Sequence, residues 1–566
     1  MTHGARYDDR YETDIVVVGA GGAGAPFATR VAALTGARVL VLEAGPVPGD
    51  AGGFPAEVLD ASALPTVAGR GAHTCWYPAE LAPGTPADIG RGRGAGGCTA
   101  VNGAYFVWPR LADLERWSAG GHPEWSPDRV LPVLRSLESD LDLDHPSGRH
   151  LGRGAPAHGT GAHDTAPHGT AMHGTRGPVP VRRARVAGST VAEAFAAAAD
   201  ALGHAPVTDL NDPTITEGHG ALPLNVLDGV RMNTGLTHLL PALRDGLVTV
   251  WGDTAARGIL MDGPRAVGVE AERAGRAVRI HADEVVLAAG PVASPHLLMT
   301  SGIGPATALR RAGVPVVVDS PGVGAAFSDH PDLMLTVPVH RPVANPDRLL
   351  FGWALHLSGE DTTTPGDLEV LPMLRSFGAL TGGDEAGDLA VIVALQRPES
   401  RGTLTLASAD PRQPPVIHHR HLSTAHDRAR LRTGLRAAHA LMRSAPLRDL
   451  LDRARVAQLL PPDDAGLDQW MTRHLGTAMH TAGTAPMGPA DRPGSVTDHR
   501  GRVHGVESLR IVDTSVLPDV PSRGPAATAV LLGTHLAQLM AGPCHPATPR
   551  SPADFHHTEA TLGARM

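Results

Sequence analysis

The sequence predicts an α/β fold, α+β overall, with a βαβ unit at the front and antiparallel sheet behind it. Two observations carry this. Asp14-Ile15-Val16-Val17-Val18 is a short apolar run of strand type, the glycine-rich stretch 19–24 follows at once, and an Ala- and Val-rich helical stretch runs to about Thr35. Further along, residues 332–406 hold four strand-like runs with no helix between them, at 332–339, 349–357, 389–395 and 402–406. At 566 residues the chain is long enough for two domains.

The front reads as a dinucleotide site. Gly19-Ala20-Gly21-Gly22-Ala23-Gly24 is GxGxxG between a strand and a helix, and a second strand, 38–42, ends at Glu43-Ala44. Gly19 permits the tight turn, Gly21 lets the backbone approach a pyrophosphate at the helix N-terminus, and Gly24 lets helix and strand pack closely. Ala20 and Gly22 complete the loop. Glu43 can accept hydrogen bonds from ribose hydroxyls and disfavours a 2′-phosphate, so NADP does not suit this site. The motif leaves NAD and FAD both open.

The next segments separate the two. Residues 92–106, GRGAGGCTAVNGAYF, are mostly small. Such a stretch can lie flat along a cofactor, with Arg93, Gly96, Gly97, Cys98, Thr99, Asn102, Gly103 and Ala104 as candidate contacts. An NAD domain has no need of a second glycine-rich segment about 50 residues beyond its acid, whereas an extended FAD does. Residues 290–304, GPVASPHLLMTSGIG, begin at Gly290 after a buried-type strand at 284–289. Residues 425–443 read as a helix with Leu431, Leu435, Ala438 and Met442 on one face.

Composition excludes several classes. The net charge of −9 argues against nucleic acid, and 3% aromatic residues leave the core to Ala, Val and Leu. No run reaches the roughly 18 apolar residues of a membrane helix, and the polar N-terminus gives no signal peptide. Cys75, Cys98 and Cys544 share no CxxC spacing, which fits a reducing cytoplasm. Every basic side chain is arginine, so Schiff-base lysine chemistry is excluded. In 145–173, His158, His163, His168 and His173 recur every five residues among Gly, Pro, Ala and Thr. That period suits neither helix nor strand, so the stretch reads as a solvated low-complexity loop, and no metal is expected.

The segments 92–106 and 290–304 resemble the two signatures of the glucose–methanol–choline (GMC) oxidoreductases, the first departing at Ala95. PGVGAAFSDH at 321–330, SRGTLTL at 400–406, HTAGTAPMG at 480–488 and GRVHGVESLRIVDTSVLP at 501–518 are similar to further family segments, in the family's order. The resemblance implies a Rossmann-like FAD-binding domain assembled from discontinuous segments, plus an antiparallel-sheet substrate domain over the flavin. On this reading 12–144 is the first FAD-binding segment and 145–175 the His/Gly-rich insert. Residues 176–330 form the second FAD-binding segment, with some substrate-domain elements, and 331–475 the substrate domain. Residues 476–545 form the C-terminal FAD-binding segment, and 546–566 a disordered tail. It also implies Ala256 beside the adenine, Asp513 near the flavin side, and Val101 where some members carry the histidine that attaches FAD covalently. Valine cannot, so FAD is expected to be non-covalent.

For activity, the resemblance implies oxidation of a small-molecule alcohol by hydride transfer to flavin N5. His480 is the acid/base, and the electron acceptor (oxygen, a quinone or a carrier) is left open. The family's second polar residue, His or Asn, falls on Ala526. Gly524-Pro525 reads as a helix start with Pro525 at the first helical position and Thr528 behind it, so the helix N-terminus faces the flavin. Ser522, Arg523 or Thr528 could substitute for the missing partner. A lyase of the hydroxynitrile lyase type that keeps FAD, or a non-catalytic FAD-binding protein, is the alternative. RGPAAT also resembles a GMC subgroup associated with the peptide-derived cofactor mycofactocin, where a histidine is expected at position 526.

Overall fold

A computed structural model describes residues 10–142, 172–340, 343–359, 363–380 and 387–542. Cys544, the tail 546–566 and His158, His163 and His168 lie outside the described residues.

The front builds a seven-stranded sheet. Arg10–Val18 pairs in parallel with Val39–Leu42 on one side and with the long strand Arg276–Leu287 on the other, and Thr249–Trp251 joins beyond Val39–Leu42. The long strand divides its partners. Its first half pairs antiparallel with Arg265–Arg273, and its last three residues pair in parallel with Leu509–Ile511. Segments some 500 residues apart thus share one sheet, which carries the chain just past Ile511 to the end where the glycine loop leaves Val18. Val16, Val17, Val41, Val286 and Leu287 are fully or almost fully buried, as expected of parallel strands covered on both faces. The helix Ala526–Ala541 packs on Gly24–Thr35 at close range: a Cβ on Gly533 would stand 2.2 Å from the Ala23 carbonyl oxygen.

The second sheet is antiparallel throughout, in the order Leu475–Thr477, Pro331–Pro338, Asp388–Leu395, Leu368–Pro372, Trp353–Leu357, Gly218–Ala221. Three of the four expected runs lie here. The fourth, seen at Thr403–Thr405, pairs instead with Val416–His418 in a smaller sheet with Thr74–Ala82 and Thr85–Gly92. The helix Ala425–Arg443 covers the second sheet with Leu431, Leu435, Ala438 and Met442 fully buried. Thr424 caps it by accepting from Asp427 N–H (3.0 Å).

His173 departs from the expected solvated loop. It is buried, with Nδ1 2.6 Å from Glu138 and Nε2 2.5 Å from Asp209. Arg183 joins the same cluster by pairing with Asp140 and Asp209. Two carboxylates hold an imidazole that composition alone places in solvent. Glu138, Asp140 and His173 have ligand atoms close together, but Arg183 already pairs with Asp140 and His173 with Glu138.

In several other histidines desolvation disfavours the charged form. Burial pushes His238, His296 and His356 down to about 4, although the Glu369 carboxylate 3.0 Å from His356 Nε2 pulls the other way. In the unfolded chain these groups titrate near 6.5, so between about pH 6.5 and 4 the unfolded state binds more protons and stability falls as pH falls. Asp332, raised to about 7 by burial and by Asp329, and His173, held up at about 9 by Asp209 and Glu138 against its burial, oppose this. The melting temperature of the protein is therefore expected to drop from pH 7 to pH 5 in differential scanning fluorimetry. A flat or rising profile contradicts the assignment of neutral buried imidazoles.

Candidate active site

Glu43 organises the front of the site. Its buried carboxylate accepts from the N–H groups of Ala20 (2.8 Å), Gly45 (2.9 Å) and Gly94 (2.8 Å). One side chain thereby ties the glycine loop, the end of its own strand and the 92–106 segment. Gly96 N–H donates to Ala20 C=O (2.9 Å), and Gly97, at φ +50°, would place a Cβ 2.7 Å from Gly21 Cα. Only glycine suits that position. Gly19 sits at φ +108°, Gly22 approaches Thr99, and Gly24 opens the helix. Thr99 Oγ1 donates to Gly96 C=O (2.7 Å) and lies 3.1 Å from Thr234 Oγ1, which reaches Gly21 C=O (3.2 Å). Thr254 N–H donates to Glu43 C=O (2.8 Å), which brings Ala256 to this end of the sheet.

Other expected contacts have local partners. Arg93 is exposed and donates to Ala44 C=O (3.1 and 2.8 Å). Cys98 Sγ faces Gly92 N–H (3.4 Å), and Gly103 packs on Phe351. Asn102 Oδ1 accepts from Ala104 N–H (3.0 Å), a turn that carries Ala104 to φ +56°. Asp513 is buried, and its two oxygens accept from Gly290 N–H (2.9 Å), Ser294 Oγ (2.6 Å), Ser515 N–H (2.9 Å) and Ser515 Oγ (2.5 Å). Burial raises its pKa, and these bonds pull it back. It joins the second signature-like segment to the C-terminal one.

Pro525 is the residue before the C-terminal helix, one position earlier than expected, and the first helical bond is Ala529 N–H to its carbonyl (2.8 Å). The N–H groups of Ala526, Ala527 and Thr528 stand ahead of that bond, as at any helix start. Ser522 and Arg523 are not available as substitutes for a histidine at 526. Ser522 N–H and Oγ both donate to Asp113 (2.7–3.1 Å), and Arg523 donates to the carbonyls of Leu210 and Ile215. Both are consumed by burial away from solvent. Thr528 Oγ1 is buried without a partner among the described residues.

His480 follows Met479, which holds φ +60°, and its own N–H donates to Asp329 Oδ1 (2.7 Å). The same oxygen accepts from His330 N–H (2.8 Å), and Asp329 Oδ2 accepts from Thr481 Oγ1 (2.7 Å). His480 Nδ1 lies 3.0 Å from His330 Nδ1, with the rings perpendicular, and His330 Nε2 lies 2.9 Å from Pro521 C=O. Burial, His330 and Arg91 hold His480 well below the ordinary histidine value, so its imidazole is neutral at pH 7. His330 and Asp329 were not singled out by sequence reasoning. The signal available was the Asp-His pair closing PGVGAAFSDH.

The GMC oxidoreductase N-terminal family profile matches residues 13–332 and the C-terminal one residues 398–533. The chain belongs to the GMC oxidoreductases. It is 36% identical to an uncharacterised GMC-type oxidoreductase of Rhodococcus erythropolis, covering 94% of this chain and 98% of the relative. It is 29% identical to an oxygen-dependent choline dehydrogenase of Pseudomonas fluorescens, covering 96% of each. Pyridoxine 4-oxidase from Mesorbium loti superposes with a TM-score of 0.79 at 25% identity, covering 93% of this chain and 98% of that one. A fungal aryl-alcohol oxidase shares the fold, at a TM-score of 0.75 and 22% identity over 94% and 98%. The protein is an FAD-dependent oxidoreductase. Among the described residues, no helix is long and apolar enough to cross a membrane.

The residues present fit this cofactor. The helix Gly24–Thr35 has neither a side-chain cap nor an acid in its first turn, leaving its N-terminus to an anion. A Cβ on Gly290 would enter open space, and the unpartnered Thr528 hydroxyl stands at the start of the C-terminal helix. Val101, buried, offers no nucleophile. Acid or heat denaturation is therefore expected to release all of the flavin into the supernatant as free FAD. Flavin retained on the precipitated chain refutes the non-covalent assignment.

Proposed function

We propose that the protein oxidises the CH–OH group of a small-molecule alcohol, with His480 as the base that takes the hydroxyl proton. The observation that carries this is His480 itself: a neutral imidazole, held by its backbone and Nδ1, whose Nε2 has no hydrogen bond among the described residues. Bound FAD supplies the hydride acceptor, at its N5.

The chain's own residues supply binding and proton handling. The loop 19–24 and the helix behind it would hold the pyrophosphate, Glu43 the ribose hydroxyls, and 96–104 the flavin end. The start of the C-terminal helix would present N–H groups and a partial positive charge to the pyrimidine edge. The alcohol O–H breaks, its proton goes to His480 Nε2, and the bond pair stays on oxygen and forms the carbonyl as hydride leaves carbon. The alcohol-directed names of relatives, choline among them, support the substrate class. None of the relatives named above is described as mycofactocin-associated, and that subgroup forms no part of this reading.

Ala526 favours a second reading. With Ser522 and Arg523 consumed, no imidazole or amide side chain stands at the second position, as would suit an FAD oxidoreductase whose donor is not an alcohol. Anaerobic addition of an alcohol panel, including choline, pyridoxine and aryl alcohols, separates the two. Loss of the visible flavin band is expected. A stable oxidised spectrum with every alcohol overturns alcohol oxidation by His480 and leaves the second reading.

A further inference from the structure

We propose that His330 is a positioning residue that fixes the tautomer of His480, placing the proton on Nδ1 and the lone pair on Nε2. The inference rests on His480 acting as the base. It follows from counting donors and acceptors along one chain of hydrogen bonds.

The Pro521 carbonyl can only accept, so His330 Nε2, 2.9 Å away, carries a hydrogen. His330 is fully buried, and burial depresses its pKa although Asp329, Glu369 and the Pro521 carbonyl pull upward, so the ring is neutral and has only that one N–H. Its Nδ1 is therefore a bare lone pair. His480 Nδ1 faces it at 3.0 Å. Two lone pairs at that distance would repel, so His480 Nδ1 donates. A neutral His480 then has its lone pair at Nε2, the atom without a partner.

This arrangement works against an intrinsic preference. A free imidazole side chain favours the proton on Nε2, the form that cannot accept a proton there. The chain Pro521 C=O, His330, His480 reverses that preference. Asp329 keeps the two rings in register by accepting from both backbone N–H groups, at 2.8 and 2.7 Å. The logic matches the carboxylate that orients the histidine of a hydrolase triad, with a neutral imidazole as the orienting group. His330 is too buried to reach a substrate, which keeps its role separate from that of the base.

The test uses the full FAD-loaded protein with ¹⁵N-labelled histidine at pH 7.5. The His480 ring signals are assigned by their loss in His480→Asn. Expected in the unsubstituted protein are a protonated Nδ1 and an unprotonated Nε2. In His330→Leu the proton is expected on Nε2 in most molecules, and anaerobic flavin reduction by a working alcohol slows on the order of 10²-fold. His330→Asn can donate its amide N–H to Pro521 and accept from His480 through its carbonyl oxygen, so it is expected to keep the Nδ1–H form. A proton on His480 Nε2 in the unsubstituted protein overturns the proposal, as does an unchanged tautomer in His330→Leu. The tautomer is read without substrate. Failure of every alcohol to reduce the flavin would count against the proposed function and not against this inference. Should His330→Leu fail to fold, the unsubstituted spectrum and His330→Asn still decide.

Discussion

Replacing His480 by alanine is expected to slow anaerobic flavin reduction by alcohol on the order of 10³-fold, with FAD content unchanged. The side chain is held by a backbone bond to Asp329 and a ring bond to His330, and both belong to the folded frame. Removing the imidazole leaves the frame's own contacts between Asp329, His330 and Thr481 in place, so the loss falls on proton transfer. Stopped-flow absorbance at the flavin band, with bound FAD counted separately, measures it. An unchanged rate removes His480 from the mechanism. The pH profile adds a second check. A base must be unprotonated, and burial together with His330 and Arg91 keeps His480 well below the ordinary histidine range. The profile of kcat/KM should therefore stay level from pH 8 down through 6.5 on account of this group, and fall only in more acidic solution.

Ala526→His is expected to raise the rate of alcohol oxidation on the order of 10²-fold, the scale of one well-placed hydrogen-bond donor at a developing charge. Position 526 opens the C-terminal helix and is only half-buried, so a larger side chain has an open side. The segment before it is anchored beside the base through the Pro521 carbonyl on His330, and its polar neighbours Ser522 and Arg523 point into Asp113 and into two carbonyls. A new imidazole would meet no competing partner from those residues. The gain should appear in kcat more than in KM, because the contact strengthens as the oxygen gains charge. A rate that does not rise, with FAD bound and the fold intact, overturns the assignment of 526 as the second catalytic position.

Much of the front was legible because its determinants are local. A strand, a glycine loop, a helix and an acid lie within about 30 residues, and each needs only its own backbone rules. The helix Ala425–Arg443 was legible for the same reason: its apolar period is its own. Leu368–Pro372 was not. LEVLP carries an acid and ends in proline, so it does not read as a central strand, yet Glu369 is buried there because His356 on the neighbouring strand pairs with it. Gly218–Ala221 was hidden likewise, since GHGA has neither alternation nor branched residues and becomes a strand only by pairing with Trp353–Leu357.

The sequence by itself determined the family, the cofactor, the glycine loop with its acid, the candidate base and the alanine at 526, because each is a residue type at a fixed place in a local pattern. The tertiary structure alone decided what those residues touch. It brought His330 against His480 across 150 positions, spent Ser522 and Arg523 on distant partners, and placed His173, which the sequence reads as part of a low-complexity loop, in a buried ion pair. The physical reason is that a buried imidazole, hydroxyl or guanidinium must find a partner wherever the fold supplies one. That partner is set by sheet pairing and packing between segments far apart in the chain, which no local pattern records.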